Sequence, residues 1–373
     1  MSKNAGSGTS SPRRIVVISA SIGAGHDGAA QQLVREFSAA GYEVSCHDLL
    51  DLGVAGLGRA LRRAYATELR VAPQSWGWVL RQLERRRWLA GAIGTVAGWL
   101  AARRLRGVTG GDPVAVISTY PLASQALGRL RRRGELSAPA ITFLTDLSVH
   151  PLWVSPHVDL HLALHEVAGE QARRLGAGRI AVCRPAVAAA FTEPGEPAHR
   201  AEVRARYGLP DEAPVALVVA GSWGVGDVGE AAVEIAATGL ATPVTLCGHN
   251  EDLRRRLTEA GAGVALGWVS EMPALIRAAD VVIQNAGGLT SLEAMAAGVP
   301  VLSYRCLPGH GTTNAEALDR AKLAPWVTEP AGLPDALRIA LADGPGPEVA
   351  QLFAAPSAVE AVELLALAAG VNR

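Results

Sequence analysis

Four cysteines in 373 residues, Cys46, Cys183, Cys247 and Cys306, stand too far apart and too irregularly for a zinc site or a disulfide framework, so they read as reduced thiols. No stretch is apolar over the ~20 residues that a membrane-spanning helix needs. Residues 1–13 are polar, rich in Ser and Gly and without an apolar centre. They read as a disordered leader rather than a targeting signal, which makes the chain cytoplasmic. Net charge is missing too: 35 basic residues balance 35 acidic ones, and a hydrophobic content of 49% describes a globular chain long enough for two domains with full cores. No signature of a nucleic-acid-binding fold is found, so nucleic acid is not an expected partner.

The zero net charge hides an asymmetry. Residues 1–190 hold 23 basic against 13 acidic side chains, and the remainder 12 against 22. Two domains with different partners follow, the basic one facing something anionic. Much of that excess sits in residues 59–106, where eleven arginines meet two acidic residues and Trp76, Trp78, Trp88 and Trp99. Residues 75–87 and 88–106 can form amphipathic helices, and their Arg and Trp suit an anionic bilayer surface on the inner face of the cell membrane. A helical lid with solvated arginines is the other reading.

The first half otherwise repeats strand, glycine loop and helix. Residues 14–19 are a β-branched strand, 20–25 a small-residue turn and 26–40 a helix, after which strands are expected at 43–47, 114–118 and 140–144. Residues 160–164 alternate like an edge strand. A Pro/Gly/Glu linker near 191–198 precedes a second series: strand 215–219, glycine loop 220–226, helix 227–237, strand 244–247, helix 251–260 and strand 264–266. The fold class is therefore α/β with two Rossmann-like domains facing across a cleft, residues 14–192 and 199–355, and a C-terminal helix in 356–373 that can cross back.

The most informative stretch is 278–300, AADVVIQNAGGLTSLEAMAAGVP. Val281, Val282 and Ile283 form a strand, Asn285 to Gly288 a turn, and Thr290 or Ser291 caps a helix with Glu293 in its first turn. A glycine turn at a helix N-terminus is an anion site, and a carboxylate one turn in can accept both ribose hydroxyl protons. Simple capping of a surface helix is the alternative.

These motifs together carry a resemblance. Gly23-Ala24-Gly25-His26, Thr145-Asp146 with His150-Pro151-Leu152-Trp153, residues 220–226, Cys247-Gly248-His249-Asn250, Gly267-Trp268-Val269, residues 285–294 and 308–314 resemble the glycosyltransferases that make monogalactosyl- and glucosyl-diacylglycerol. Those enzymes are related to the N-acetylglucosaminyltransferase that completes lipid II. The resemblance implies the GT-B fold and an inverting transfer of a hexose from a UDP-sugar to a lipid such as diacylglycerol, without a metal or other cofactor. It implies that Gly287, Gly288, Thr290, Ser291 and Ser222 cradle the diphosphate, that Trp268 and Val269 meet the uracil, and that Glu293 binds the ribose. His310 and Asn314 fall in the loop that reads the donor sugar, and Gly23, Gly25, Asp146 and His150 on the acceptor side. His26, or Asp27 beside it, is the candidate base, with loop bracing as the alternative role for His26.

Three departures stand out. Ser21 occupies a position that is acidic in the plant galactolipid enzymes, Cys183 stands where relatives carry a hinge glycine, and His310 lacks the neighbouring carboxylate of the family's sugar loop. A hydrolysing nucleotide-sugar 2-epimerase and a non-catalytic UDP-sugar binder share these features. His157, His161 and His165 are four apart, but the alternation around them argues for a strand, on which they spread too far for one metal. Asp48 keeps a dehydrogenase reading open.

Overall fold

The structure, a computed structural model, describes residues 13–21, 24–52, 82, 86–193, 197–219 and 225–368. Its first sheet contains β1 (Arg14–Ser19), β2 (Glu43–Asp48), β3 (Ala115–Ser118), β4 (Ala140–Phe143), β5 (Leu160–Ala163) and β6 (Ile180–Val182), in the order β2-β1-β3-β4-β5-β6. The second contains β7 (Val215–Val219), β8 (Thr242–Leu246), β9 (Val264–Leu266), β10 (Val281–Gln284), β11 (Val301–Tyr304) and β12 (Trp326–Val327), in the order β12-β11-β10-β7-β8-β9. Every pairing is parallel. Runs such as Val215–Val219 are buried at every position because helices cover both faces. Each sheet reverses its winding once, between β1 and β3 and between β7 and β10, and a crevice opens at such a switch point.

The helices used below are α1 (Ala24–Ala39), α2 (Arg87–Thr109), α3 (Pro121–Arg132), α4 (Glu166–Arg174), α5 (Val228–Thr238), α6 (Leu289–Ala296), α7 (His310–Arg320), α8 (Pro347–Ala354) and α9 (Ala358–Ala368). One apolar cluster runs from Ile15, Leu33 and Phe37 through Cys183 and Phe191 to Leu292, Met295 and Val362, so the two sheets share packing. The chain crosses back at its end. Pro356 accepts a hydrogen bond from the Arg184 amide at 2.8 Å, and the Tyr42 hydroxyl donates to Glu363 on α9 at 3.2 Å. Among the described residues no single helix is long and apolar enough to cross a membrane; α8 and α9 pass that test only as a pair, bent by 44°.

Two local expectations are corrected. Residues 160–164 are not an edge strand, since β5 lies between β4 and β6 and is wholly buried. Their alternation separates two buried faces: Leu160, Leu162 and Leu164 enter the shared core, and His161 enters the opposite side with no solvent exposure. Helix α6 begins earlier than expected, directly after Gly288, so neither Thr290 nor Ser291 caps it and Glu293 falls in its second turn. The cause is the left-handed backbone of Gly287 and Gly288, φ +77° and +82°, which reverses the chain without a capping side chain. Residues 88–106 lie within α2, whereas residues 75–81 lie outside the described residues.

Candidate active site

Both switch points open onto the same place. His26 sits in the first turn of α1, behind β1, and its Nδ1 lies 2.8 Å from the carbonyl oxygen of Thr119, just past β3. A carbonyl can only accept, so Nδ1 carries the proton and Nε2 is left with its lone pair. Thr145 Oγ1 lies 3.3 Å from the same Nδ1 and donates to Asp146 Oδ2 at 3.3 Å. Tyr120 and Trp153 enclose the ring, with centroids 5.3 and 5.7 Å away. Burial lowers the basicity of His26, an effect opposed first by the Asp146 carboxylate.

Across the cleft stands the turn between β10 and α6. A Cβ at Gly287 would lie 1.8 Å from Asn314 Nδ2, and one at Gly288 would come within 3.4 Å of Asp146 Oδ1 in the facing domain. Leu289 packs on Gly28, where a Cβ would fall 2.3 Å from its Cδ2. The N-termini of α1 and α6 thus face one another, two partial positive charges that an anion between them would neutralise. Ser291 Oγ is buried here without a hydrogen-bond partner among the described residues, as is Asn285 Oδ1. The Glu293 carboxyl makes no hydrogen bond or ion pair among the described residues, and burial pushes it up to about 7.

His310 opens α7 after Gly309, and its Nε2 lies 3.7 Å from Asp146 Oδ2. A carboxylate of the other domain therefore stands beside His310. His150 lies beside Trp153, its buried Nδ1 unpartnered, and burial with repulsion from His310 and His26 lowers it to about 3. Trp268 is 61% exposed and stacks flat on His249, centroids 4.6 Å apart, while Val269 packs against the core.

Not every expected residue joins this group. Asp27 turns back to β1, where Ser19 Oγ donates to it at 2.9 Å. Asn314 is buried beside the turn: its Oδ1 accepts from the amides of Leu147 and Ser148 at 3.2 and 3.3 Å, which joins the two domains, and its Nδ2 lies against Gly287. Asp48 accepts from the Ser21 and Leu50 amides at 3.0 and 2.8 Å and so braces the loop behind β1. His161 is buried within β5 and His165 caps α4, 3.2 Å from the Val167 amide. Gly25 has Leu289 at 4.0 Å from its virtual Cβ, whereas Gly23 and Ser222 lie outside the described residues.

Sequence reasoning passed over the Thr119 carbonyl, although a Ser-Thr pair ending a strand at the switch point was visible at 118–119. It also passed over Asn285 as a brace: the side chain donates to the Val225 carbonyl at 2.8 Å and the backbone carbonyl accepts from Leu307 at 2.7 Å, tying three loops together.

With that geometry in place, comparisons with known proteins give the fold and two partial family matches. Residues 26–182 match the family model described as monogalactosyldiacylglycerol (MGDG) synthase, and residues 230–343 match that of glycosyl transferases group 1. Similar relatives include proteins named processive diacylglycerol beta-glucosyltransferase from Bacillus licheniformis and Bacillus subtilis, 27% and 29% identical over 55% of this chain. The matched region spans about half, 54%, of each relative's length. Among solved structures, Anabaena HepE in complex with UDP and glucose has a TM-score of 0.54 at 14% identity, covering 96% of this chain and all of that one. MurG of Acinetobacter baumannii gives 0.51 at 15% identity over 95% and 99% of the two chains. The fold is GT-B.

Proposed function

We propose that this chain, whose N-terminal domain belongs to the monogalactosyldiacylglycerol synthase family, is an inverting glycosyltransferase moving a hexose from a UDP-sugar to the hydroxyl of a lipid such as diacylglycerol. The observation that carries the reading is His26, held by Thr119 with its Nε2 free, opposite the glycine turn at the N-terminus of α6. The acceptor oxygen attacks the anomeric carbon from the face opposite the UDP, its proton passes to His26 Nε2, and the bond to the diphosphate breaks as the new bond forms. Gly287, Gly288, Thr290 and the unpartnered Ser291 receive the leaving charge at the helix end. The relatives' names supply the acceptor class, and HepE, solved in complex with UDP and glucose, supplies the donor class.

Glu293 is the ribose residue in this reading. Glu293→Ala is expected to weaken UDP by about 1.5–3 kcal/mol, the value of hydrogen bonds to a charged acceptor. Hydroxyl donors need the ionised carboxylate, and the free site holds that group near 7. UDP binding therefore releases a proton around neutrality, and affinity falls as the pH drops below about 7. Calorimetry in two buffers of different ionisation enthalpy reads both effects; unchanged affinity in the variant and no proton release would remove Glu293 from the site.

The lipid acceptor implies a peripheral membrane protein on the inner face of the membrane. Helix α2 supports this: Ala101 and Leu105 anchor it in the domain core, and Ile93, Val96 and Trp99 are 39%, 58% and 69% exposed. Arg103 and Arg104 follow on the same helix. Burying one such apolar side chain in a bilayer surface gains about 2 kcal/mol, so Trp99→Ala should weaken binding to anionic vesicles roughly 30-fold. Flotation unaffected by this change and by salt would make α2 an ordinary lid.

A further inference from the structure

Arg305 stands directly after β11, at the start of the loop that leads to His310, with a left-handed backbone at φ +45°. Among the described residues the other non-glycine positions of this kind are Asp112 and Lys322, both exposed, whereas Arg305 is half-buried. Long side chains seldom take that conformation, and glycine would make the same turn at no steric cost. The reason for an arginine here therefore lies in its guanidinium.

That group is held by one face of α5. Asp227, Glu230 and Glu234 are spaced three and four residues apart, which lines their carboxylates up along the helix. Arg305 Nε donates to Glu234 Oε2 at 2.7 Å, and a second bond joins its Nη2 to Glu234 Oε1. Its Nη1 lies 2.6 Å from Glu230 and 3.9 Å from Asp227, and the Tyr304 hydroxyl donates to Glu234 at 2.6 Å. The fork on Glu234 is a bidentate geometry that lysine cannot reproduce. It holds the Glu234 carboxyl below the usual carboxylate range.

The far end of the loop is tied to the diphosphate turn. Leu307 donates its amide to the Asn285 carbonyl at 2.7 Å, and a Cβ on Gly311 would fall 2.6 Å from that same oxygen. Residues 305–311 thus run from α5 to the turn before α6, and His310 is placed by both anchors.

We propose that Arg305 is a positioning residue for the donor sugar: clamped by Glu230 and Glu234, it fixes the loop that presents His310 to the hexose of the UDP-sugar. The inference rests on the glycosyltransferase reading above, in which His310 belongs to the sugar loop. Uracil, ribose and diphosphate are met by other segments in that reading, so the clamp bears on UDP-hexose and not on UDP.

The test is calorimetry with UDP, and with whichever of UDP-glucose and UDP-galactose binds the unaltered full chain more tightly. Arg305→Gly keeps the turn and removes the clamp, so any loss belongs to the side chain and not to the backbone. It should weaken the UDP-hexose tenfold or more and change UDP less than twofold. Arg305→Lys, with the charge but not the fork, should recover part of the loss. Glu234→Gln should weaken the UDP-hexose in the same direction, and combining it with Arg305→Gly should add nothing, because both changes break one clamp. Full UDP-hexose affinity in Arg305→Gly would overturn the proposal. Equal weakening of UDP and UDP-hexose would do so too, since that is what a mere brace of the fold produces. Should Arg305→Gly fail to fold, Glu230→Gln, at the exposed end of the clamp, gives the same comparison with the same two overturning results. An unaltered chain that binds neither UDP nor UDP-hexose would contradict the glycosyltransferase reading and the proposal with it. One that binds both, with variants that distinguish the two ligands no differently, counts against the clamp alone.

Discussion

Replacing His26 by alanine is expected to lower turnover about 10²- to 10⁴-fold, the usual contribution of a positioned general base, with UDP affinity unchanged. The separation of effects follows from location. His26 belongs to the first domain and the diphosphate turn to the second, so removing the imidazole takes away a proton acceptor and no donor contact. The pH profile provides a second reading of the same group. Burial lowers its basicity, and only the neutral ring can accept the hydroxyl proton, so the rate should hold below the ordinary imidazole value and decline only at more acidic pH. If His26 merely braces the loop through Thr119, the alanine variant will instead raise the acceptor KM and leave kcat near its original value. An unaltered rate would transfer the role to another group, with Asp146 the nearest carboxylate in the cluster.

The second large effect is on stability. His161 is fully buried, neither ring nitrogen has a well-formed hydrogen bond among the described residues, and burial, opposed by the Arg179 backbone nearby, lowers it to about 4 from the ordinary 6.5. Above the unfolded value both states are neutral and pH has no influence. Below it the unfolded chain takes up a proton that the folded chain refuses, so stability falls from pH 6.5 down to about 4, by about 3 kcal/mol for this residue. His150, lowered to about 3, adds to the loss in the same direction. Denaturant midpoints between pH 7.5 and 4.5 should show that fall, and His161→Leu should flatten it at little cost at neutral pH, since it removes two unsatisfied polar atoms from the core. An identical pH slope in His161→Leu would mean that the acid sensitivity arises elsewhere.

The sheets were legible because parallel strands buried on both faces leave continuous β-branched runs. Residues 14–19, 215–219 and 264–266 correspond to β1, β7 and β9 to the residue. Periodicity misled where burial was two-sided but unequal. Residues 160–164 alternate in polarity because one His faces apolar side chains, not because one face meets water. The start of α6 was misplaced for a different reason. Capping rules weigh Thr290 and Ser291, whereas two successive left-handed glycines end the turn without any cap.

Within the site, what was legible was chemistry attached to a motif, and what was not was contact between distant parts of the chain. Nothing local in Thr145-Asp146 announces that Asp146 will stand 3.7 Å from His310. Nor does the sugar loop reveal that Asn314 clasps the amides of Leu147 and Ser148, because both contacts exist only once the two domains close on one another. The preference of His26 for one tautomer likewise depends on a backbone carbonyl 93 residues away, which no side-chain pattern encodes.

The central claim is tested most directly by incubating the purified full chain with UDP-hexose labelled in the sugar and with vesicles of diacylglycerol and an anionic phospholipid, then identifying the products by mass spectrometry and the anomeric configuration by NMR. Inverting transfer predicts label in the lipid fraction as β-linked hexosyl-diacylglycerol, in step with UDP release and dependent on His26. Label recovered as free hexose or its 2-epimer, or UDP-hexose that binds and returns unchanged, would contradict the account.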